Sequence, residues 1–280
     1  MPVEPPVVTP RTLGEAYAII ADAPHRPVAG GTDLLVQLTG EIGPVPERVI
    51  DLWRLNELRG IRVRDGALDI GALTTYTQIR RSEDCAAHAP SLVAAAGTIG
   101  AAQIQNRGTI GGNAMNASPA GDSLPVLLAL DATLVVGGAA GERSIPAAVF
   151  WPAYRRTALR EGELLLRIRI PIDGERRQAF RKVGTRRAQA ISKVVLAASW
   201  RRNPDWRDVR IAFGSVAATP IRASAAEAAL EGVPATPESI GGAVAALLGE
   251  LHPIDDVRST GAYRLEVAGR ILRRVLEDSG

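Results

Sequence analysis

From Gly97 to Asp122 the chain runs 26 residues with six glycines (97, 100, 108, 111, 112 and 121) and no sustained helical or strand periodicity. A stretch of that length with no pattern of its own does not read as a core element. It predicts a long loop region, and loops that long inside a compact domain usually serve function. The fold must therefore be built by the segments on either side of it.

Upstream, Thr12 to Ala23 combines a Thr cap, Glu15 three residues later and apolar residues at helical spacing, which predicts a capping-box helix. A short strand then enters the turn Ala29-Gly30-Gly31-Thr32-Asp33. Asp33 to Leu38 opens a second helix, and Arg48 to Leu52 reads as a buried strand. From Gly60 the pattern becomes alternating about Asp65-Gly66, a hairpin signal. Helices are expected at Thr77 to Arg81, Ser91 to Ile99 and Leu124 to Leu130, and strands at Ala132 to Val136 and Glu163 to Ile170. Beyond Asp173-Gly174 the expected order is a strand at Ala179 to Val183, an apolar run at Ile191 to Trp200 and a strand at Val209 to Val216. Helices at Ser224 to Leu230, Pro237 to Leu251 and Ser259 to Leu276 complete an α+β unit.

Composition narrows the functional classes. The 280 residues carry Lys+Arg 33 against Asp+Glu 30, a net +3 with no run of five like charges, which argues against a nucleic-acid or membrane-surface partner. No apolar stretch reaches the roughly 18 residues of a membrane span, and the start lacks a signal-peptide pattern, so a cytoplasmic location is expected. A single cysteine, Cys85, excludes an internal disulfide and leaves the chain unable to ligate an iron–sulfur cluster by itself. The three histidines, His25, His88 and His252, lack metal-ligand spacing and read as surface residues. No metal ligands and no catalytic nucleophile–base pair are expected. Arg176, Arg177, Arg181, Arg186, Arg187, Arg201 and Arg202 read as a solvated basic face or, alternatively, a docking surface. The four tryptophans read as core or lobe-interface residues.

Two segments carry chemistry. In Ala29 to Leu35 two glycines permit close backbone approach, and free N–H groups ahead of a helix suit an anionic phosphate, with Thr32 adding a hydroxyl. The same residues also suit an ordinary turn with a helix cap. In Thr109 to Asp122 a second diglycine stands among small residues and hydrogen-bonding side chains. This is neither a Walker sequence nor a GxGxxG fingerprint. Two separate glycine turns suit a ligand with a long diphosphate spine; a small-residue packing loop is the competing reading.

AGGTDLL, then IGALTTYTQI, then GAAQIQNRGTIGGNAMNASPAGDSLPVLLALDA, in that order and spacing, resemble the FAD-binding medium subunit of the xanthine dehydrogenase and carbon monoxide dehydrogenase family of molybdenum hydroxylases. The later stretches Glu161 to Pro171, Phe180 to Val194 and Arg258 to Arg264 continue the likeness, so it covers essentially the whole chain. It implies a two-lobed PCMH-type FAD-binding domain over residues 1–173, with lobes of about 1–57 and 58–173. A C-terminal α+β domain of the carbon monoxide dehydrogenase flavoprotein type would follow over residues 174–280, with an antiparallel three-stranded sheet and helices.

The resemblance also implies the site. Ala29, Gly30, Gly31, Thr32, Asp33, Leu34 and Leu35 would wrap the FAD pyrophosphate. Thr109, Ile110, Gly111, Gly112, Asn113, Ser118 and Asp122 would line the other side, Asp122 accepting from flavin or ribityl groups. Ile99 would pack beside the isoalloxazine, Leu165 or Leu166 near the adenine end and Ile191 over the ring, while Lys182 would make a polar contact to the flavin. Lys182 is one of only two lysines in this arginine-written chain, consistent with a compact ammonium at that point. The implied partners are a small iron–sulfur subunit and a large molybdenum-cofactor subunit, with NAD or another acceptor taking the electrons; a stand-alone FAD-dependent oxidoreductase is the alternative. Two departures stand out. Ala190-Ile191-Ser192 replaces the Asp-Ile-Ala of many relatives and removes a carboxylate near the flavin. Thr32-Asp33 stands where carbon monoxide dehydrogenases tend to have His-Ser, which favours a heterocycle or aldehyde substrate over carbon monoxide.

Overall fold

A computed structural model describes residues 5–40, 42, 44–186 and 189–278. Three sheets organise them. Of the arginines discussed above, Arg187 lies outside the described residues.

The first sheet is parallel, in the order β1-β3-β2. Its elements are β1 (Val7–Val8), α1 (Leu13–Asp22), β2 (Arg26–Val28), α2 (Leu34–Thr39) and β3 (Val49–Asp51). Parallel strands need crossovers: α2 joins the neighbours β2 and β3, and β1 runs on to β2 through α1. Its Thr12 hydroxyl accepts from Glu15 N–H at 3.2 Å, as the capping pattern requires. Glu15 itself turns one residue further back and accepts from Arg11 N–H at 2.5 Å, so only half of the expected box forms. Ala16 packs in a core with Ile50, Leu52, Leu55 and Leu58, and with Leu73, Leu164 and Leu166 of the next unit.

The second sheet is antiparallel, in the order β4-β5-β8-β6-β7. It begins with the hairpin of β4 (Ile61–Arg64) and β5 (Ala67–Gly71). Asp65 and Gly66 both have positive φ, 49° and 68°, the requirement of a two-residue turn matched to strand twist. Then come α3 (Tyr76–Arg81), α4 (Glu83–His88), α5 (Pro90–Thr98), α6 (Ala102–Arg107), α7 (Ile110–Asn116) and α8 (Leu124–Ala129). The sheet is completed by β6 (Thr133–Gly138), β7 (Gly141–Pro146), α9 (Ala147–Phe150) and β8 (Leu164–Pro171).

The long loop expected over 97–122 is overturned, because half of that segment folds into α6 and α7. Its glycines hid the pattern. Gly111 sits in the first turn of α7, where its N–H donates to Ala72 O at 2.9 Å, and a Cβ there would lie 2.5 Å from that same oxygen. Glycine normally weakens a helix by about 1 kcal/mol; here only glycine lets the helix touch the backbone after β5. Thr109 caps α7, accepting from Gly112 N–H at 3.0 Å.

The third sheet is antiparallel, in the order β12-β11-β10-β9. It contains β9 (Arg177–Val183), β10 (Val194–Arg202), β11 (Trp206–Gly214) and a two-residue fourth strand, β12 (Ile221–Arg222), added to the expected three. The helices α10 (Ser224–Leu230), α11 (Pro237–Glu250) and α12 (Gly261–Glu277) follow. Seven consecutive residues of β10, Val194 to Trp200, are buried because both faces are covered. Val195 and Ala197 face the core that holds α8, and Val194, Leu196, Ala198 and Trp200 face α10 to α12.

Tertiary contacts revise one surface reading. Arg176 is not solvated: its side chain is 7% exposed and donates to Ser199 Oγ at 3.0 Å and Asp208 O at 2.9 Å. Trp53 is half-buried, with the guanidinium carbons of Arg107 and Arg59 at 3.8 and 4.4 Å from its ring centre. Trp200 and Trp206 form an edge-to-face pair in the C-terminal core, at 5.9 Å between ring centres. No helix among the described residues is long and apolar enough to cross a membrane.

Candidate functional site

A cleft of about 1160 Å³ runs where the three sheets meet. On one side stand the turn after β2 and the N-terminal part of α7; on the other stand Lys182 of β9, the loop of Ala190 to Ser192 and the turn after β11. Of the candidate residues, Ala29, Gly30, Gly31, Thr32, Asp33, Leu34, Ile99, Thr109, Gly111, Gly112, Asn113, Ser118, Asp122, Leu165, Lys182 and Ile191 all line it. Two do not: Leu35 lies on the outer side of α2, 57% exposed, and Ile110 is fully buried in the core beneath α7.

The two glycine turns differ in kind. In the second, every N–H of the diglycine region is spent inside the protein: Ile110 donates to Thr74 O at 3.1 Å, Gly111 to Ala72 O, Gly112 to Thr109 Oγ1 and Asn113 to Thr109 O at 3.0 Å. In the first, the N–H groups of Gly30, Gly31, Thr32 and Asp33 have no acceptor among the described residues. The first turn thus presents a row of free donors while the second fixes geometry. Gly30 is nevertheless a packing residue, since a Cβ there would lie 1.8 Å from Arg107 O. Gly31 adopts a φ of +77°, which a side chain would strain.

Asp33 stands at the cap position of α2 but makes no cap bond. Its Oδ1 instead accepts from Asn116 Nδ2 at 2.9 Å, tying the first turn to the end of α7. Burial raises the Asp33 carboxyl above its ordinary range, and Arg155, which also lines the cleft, pulls it back.

The charged centre is a buried pair. Lys182 Nζ donates to Asp122 Oδ2 at 2.5 Å and to Thr98 O at 3.0 Å, with the side chains 11% and 6% exposed. Burial pushes the Asp122 carboxyl up, and the ammonium beside it opposes that rise. Asp122 Oδ1 is buried and has no hydrogen-bond partner. An ionised oxygen in that state is costly unless a ligand supplies a donor.

The opposite wall contributes residues that sequence reading did not single out. Ser192 Oγ donates to Ala120 O at 3.2 Å and lies 2.9 Å from Ser215 Oγ. Ser215 has a φ of 66° and donates its N–H to Pro119 O at 2.8 Å. Arg264, 5% exposed on α12, donates to Ser215 O at 2.5 Å, Lys193 O at 3.2 Å and Asp256 Oδ1 at 2.6 Å. The only signal for Arg264 in the sequence was its place in the stretch Arg258 to Arg264; nothing local marked Ser215. His252, expected to be a plain surface residue, lies on the rim of the cleft.

Chemically, the cleft offers free backbone donors at one turn, an acceptor oxygen at a buried carboxylate, and apolar walls from Ile99, Leu164 and Leu165. Among the described residues it holds no nucleophile against a base. This set suits a cofactor that brings both anionic groups and an N–H or O–H donor.

Comparison with known proteins agrees on one group. The family described as the FAD binding domain in molybdopterin dehydrogenase matches residues 2–173, and the CO dehydrogenase flavoprotein C-terminal domain matches residues 178–279. The xanthine dehydrogenase FAD-binding subunit of Escherichia coli O157:H7 is 32% identical, covering 96% of this chain and 93% of that protein. The glyceraldehyde dehydrogenase medium chain of Sulfolobus acidocaldarius is 33% identical, covering 86% of each. Among solved structures, the carbon monoxide dehydrogenase of Hydrogenophaga pseudoflava superposes with a TM-score of 0.93 at 32% identity, covering 98% of this chain and 96% of that one.

Proposed function

Because this chain belongs to the FAD-binding medium subunits of the molybdenum hydroxylases, we propose that it carries electrons between partner subunits and a final acceptor. A small iron–sulfur subunit and a large molybdenum-cofactor subunit stand on the donor side, and NAD or another acceptor on the other. FAD, when bound, supplies the redox chemistry, and the chain binds and orients it. The reading divides the chain into a cofactor domain of residues 1–173, with lobes of 1–57 and 58–173, and a C-terminal domain of residues 174–280. It places the complex in the cytoplasm.

The observation that carries the reading is the complementarity of the cleft. The free N–H groups of Gly30 to Asp33 suit the pyrophosphate, as backbone nests do. The unpartnered Asp122 Oδ1 suits a donor on the flavin or ribityl portion. Thr109, Gly111 and Gly112 act one step away, holding α7 so that Asn113 and Ser118 face the cofactor. Ile99 and Leu165 supply apolar walls, and Ile191, 57% exposed, borders the open side. Cys85 is buried, with its thiol pushed up to about 11 by burial. One inert thiol holds no cluster, so iron–sulfur centres belong to a partner.

The purified chain is expected to be yellow, with a flavin absorption spectrum. Co-expressed with partner subunits, it is expected to elute as a three-subunit complex containing iron and molybdenum. A folded chain that stays colourless in excess FAD overturns the reading. Turnover by the isolated chain without partners would replace it with a stand-alone oxidoreductase.

A further inference from the structure

We propose that Lys182 is a positioning residue, acting on FAD only through Asp122: it holds that carboxylate ionised and turned so that Oδ1 receives a donor from the cofactor. The inference rests on the FAD reading above and differs from a direct contact between Lys182 and the flavin. Its basis is how the ammonium is spent. An ammonium has three donors, and two of them go to Asp122 Oδ2 and Thr98 O. The side chain is nearly buried, reached from β9 across to α5 and the loop before α8. Asp122, by contrast, keeps one oxygen with no partner in the cleft lining.

The hydroxyls of Ser192 and Thr98 also favour the ionised form of Asp122. Thr98 on α5 contributes a hydroxyl at 3.5 Å from Asp122 Oδ2. Tyr76 on α3 is the other titratable group that feels Asp122. It is buried and held neutral by burial, its hydroxyl 3.4 Å from Ser123 Oγ. Lys182 is therefore the cation that opposes the burial of Asp122. Without it the carboxyl rises further, and as pH falls through the raised value the oxygen is protonated and weakens as an acceptor.

The test uses the full chain stripped of FAD and retitrated by flavin fluorescence between pH 6 and 9. For Lys182→Met the dissociation constant is expected to climb toward the acid end of this range more steeply than in the wild type. Lys182→Arg restores the wild-type profile. In an Asp122→Asn background, adding Lys182→Met changes FAD affinity by no more than about twofold, because its route to the cofactor is already cut. An equal loss from Lys182→Met in both backgrounds, or a loss with no pH slope, overturns the proposal in favour of direct contact. The double variant leaves no buried unpaired charge, so it keeps the test decisive if Lys182→Met alone fails to fold. A wild-type chain that does not bind FAD would instead sink the cofactor reading itself.

Discussion

Gly30→Val is expected to abolish the native fold, and Gly30→Ala to cost at least about 3 kcal/mol, at the severe end of overpacking. The added Cβ would lie 1.8 Å from Arg107 O and 2.5 Å from its carbonyl carbon. Neither atom can swing away as a side-chain tip can. Arg107 ends α6, and the next residue is held on both sides, Gly108 N–H donating to Ile104 O at 2.6 Å and Tyr76 N–H to Gly108 O at 3.2 Å. Gly174→Ala is the control: a Cβ there meets nothing within 4 Å, and its effect should stay within about 0.5 kcal/mol. Denaturant melts of the three chains decide the matter; a Gly30→Ala midpoint equal to the wild type would refute the packing account. Loss of FAD in a Gly30 or Gly111 variant therefore reports on folding before it reports on phosphate contact.

Arg264→Met is the second large effect, expected to cost about 2–4 kcal/mol and to loosen the cleft on its C-terminal side. The guanidinium ties the paired ends of β10 and β11, through the carbonyls of Lys193 and Ser215, to Asp256 in the loop before α12. Methionine keeps much of the apolar stem but leaves two carbonyls without their charged donor. Ser215 holds a φ of 66°, a conformation that persists only while its surroundings enforce it. A lower melting midpoint together with a faster FAD off-rate is the expected pair of results. An unchanged midpoint would show that Arg264 is a spectator.

How legible the molecule was depended on where the determining contacts lie. Regular periodicity announced β8 to β11 and α10 to α12, because local pattern and burial agree there. The hairpin partner β7, GERSIP, escaped: it is an exposed edge strand with no apolar alternation to read. α6 escaped because it is only six residues long, and α7 because Gly111 is set by a backbone contact across the fold rather than by helix preference. The resemblance brought most of the named residues to one cleft, yet the differing roles of the two glycine turns were invisible. Which N–H groups remain free depends on Ala72, Thr74 and Thr109, and that is a tertiary fact. Arg176 stood in polar sequence and read as solvent-facing, and Arg264 was marked only by the stretch Arg258 to Arg264; the burial of both is decided by distant carbonyls.

The doubly covered sheet has a mechanical consequence. Lys182 stands near the end of the edge strand β9, and Ser192 just before β10, whose residues Val194 to Trp200 are covered by one core on each side. Opening the cleft along this wall would disturb the cores on both faces of β10 at once. Under the proposed function, the gap between bound FAD and a docked electron donor would then be set by the folded sheet.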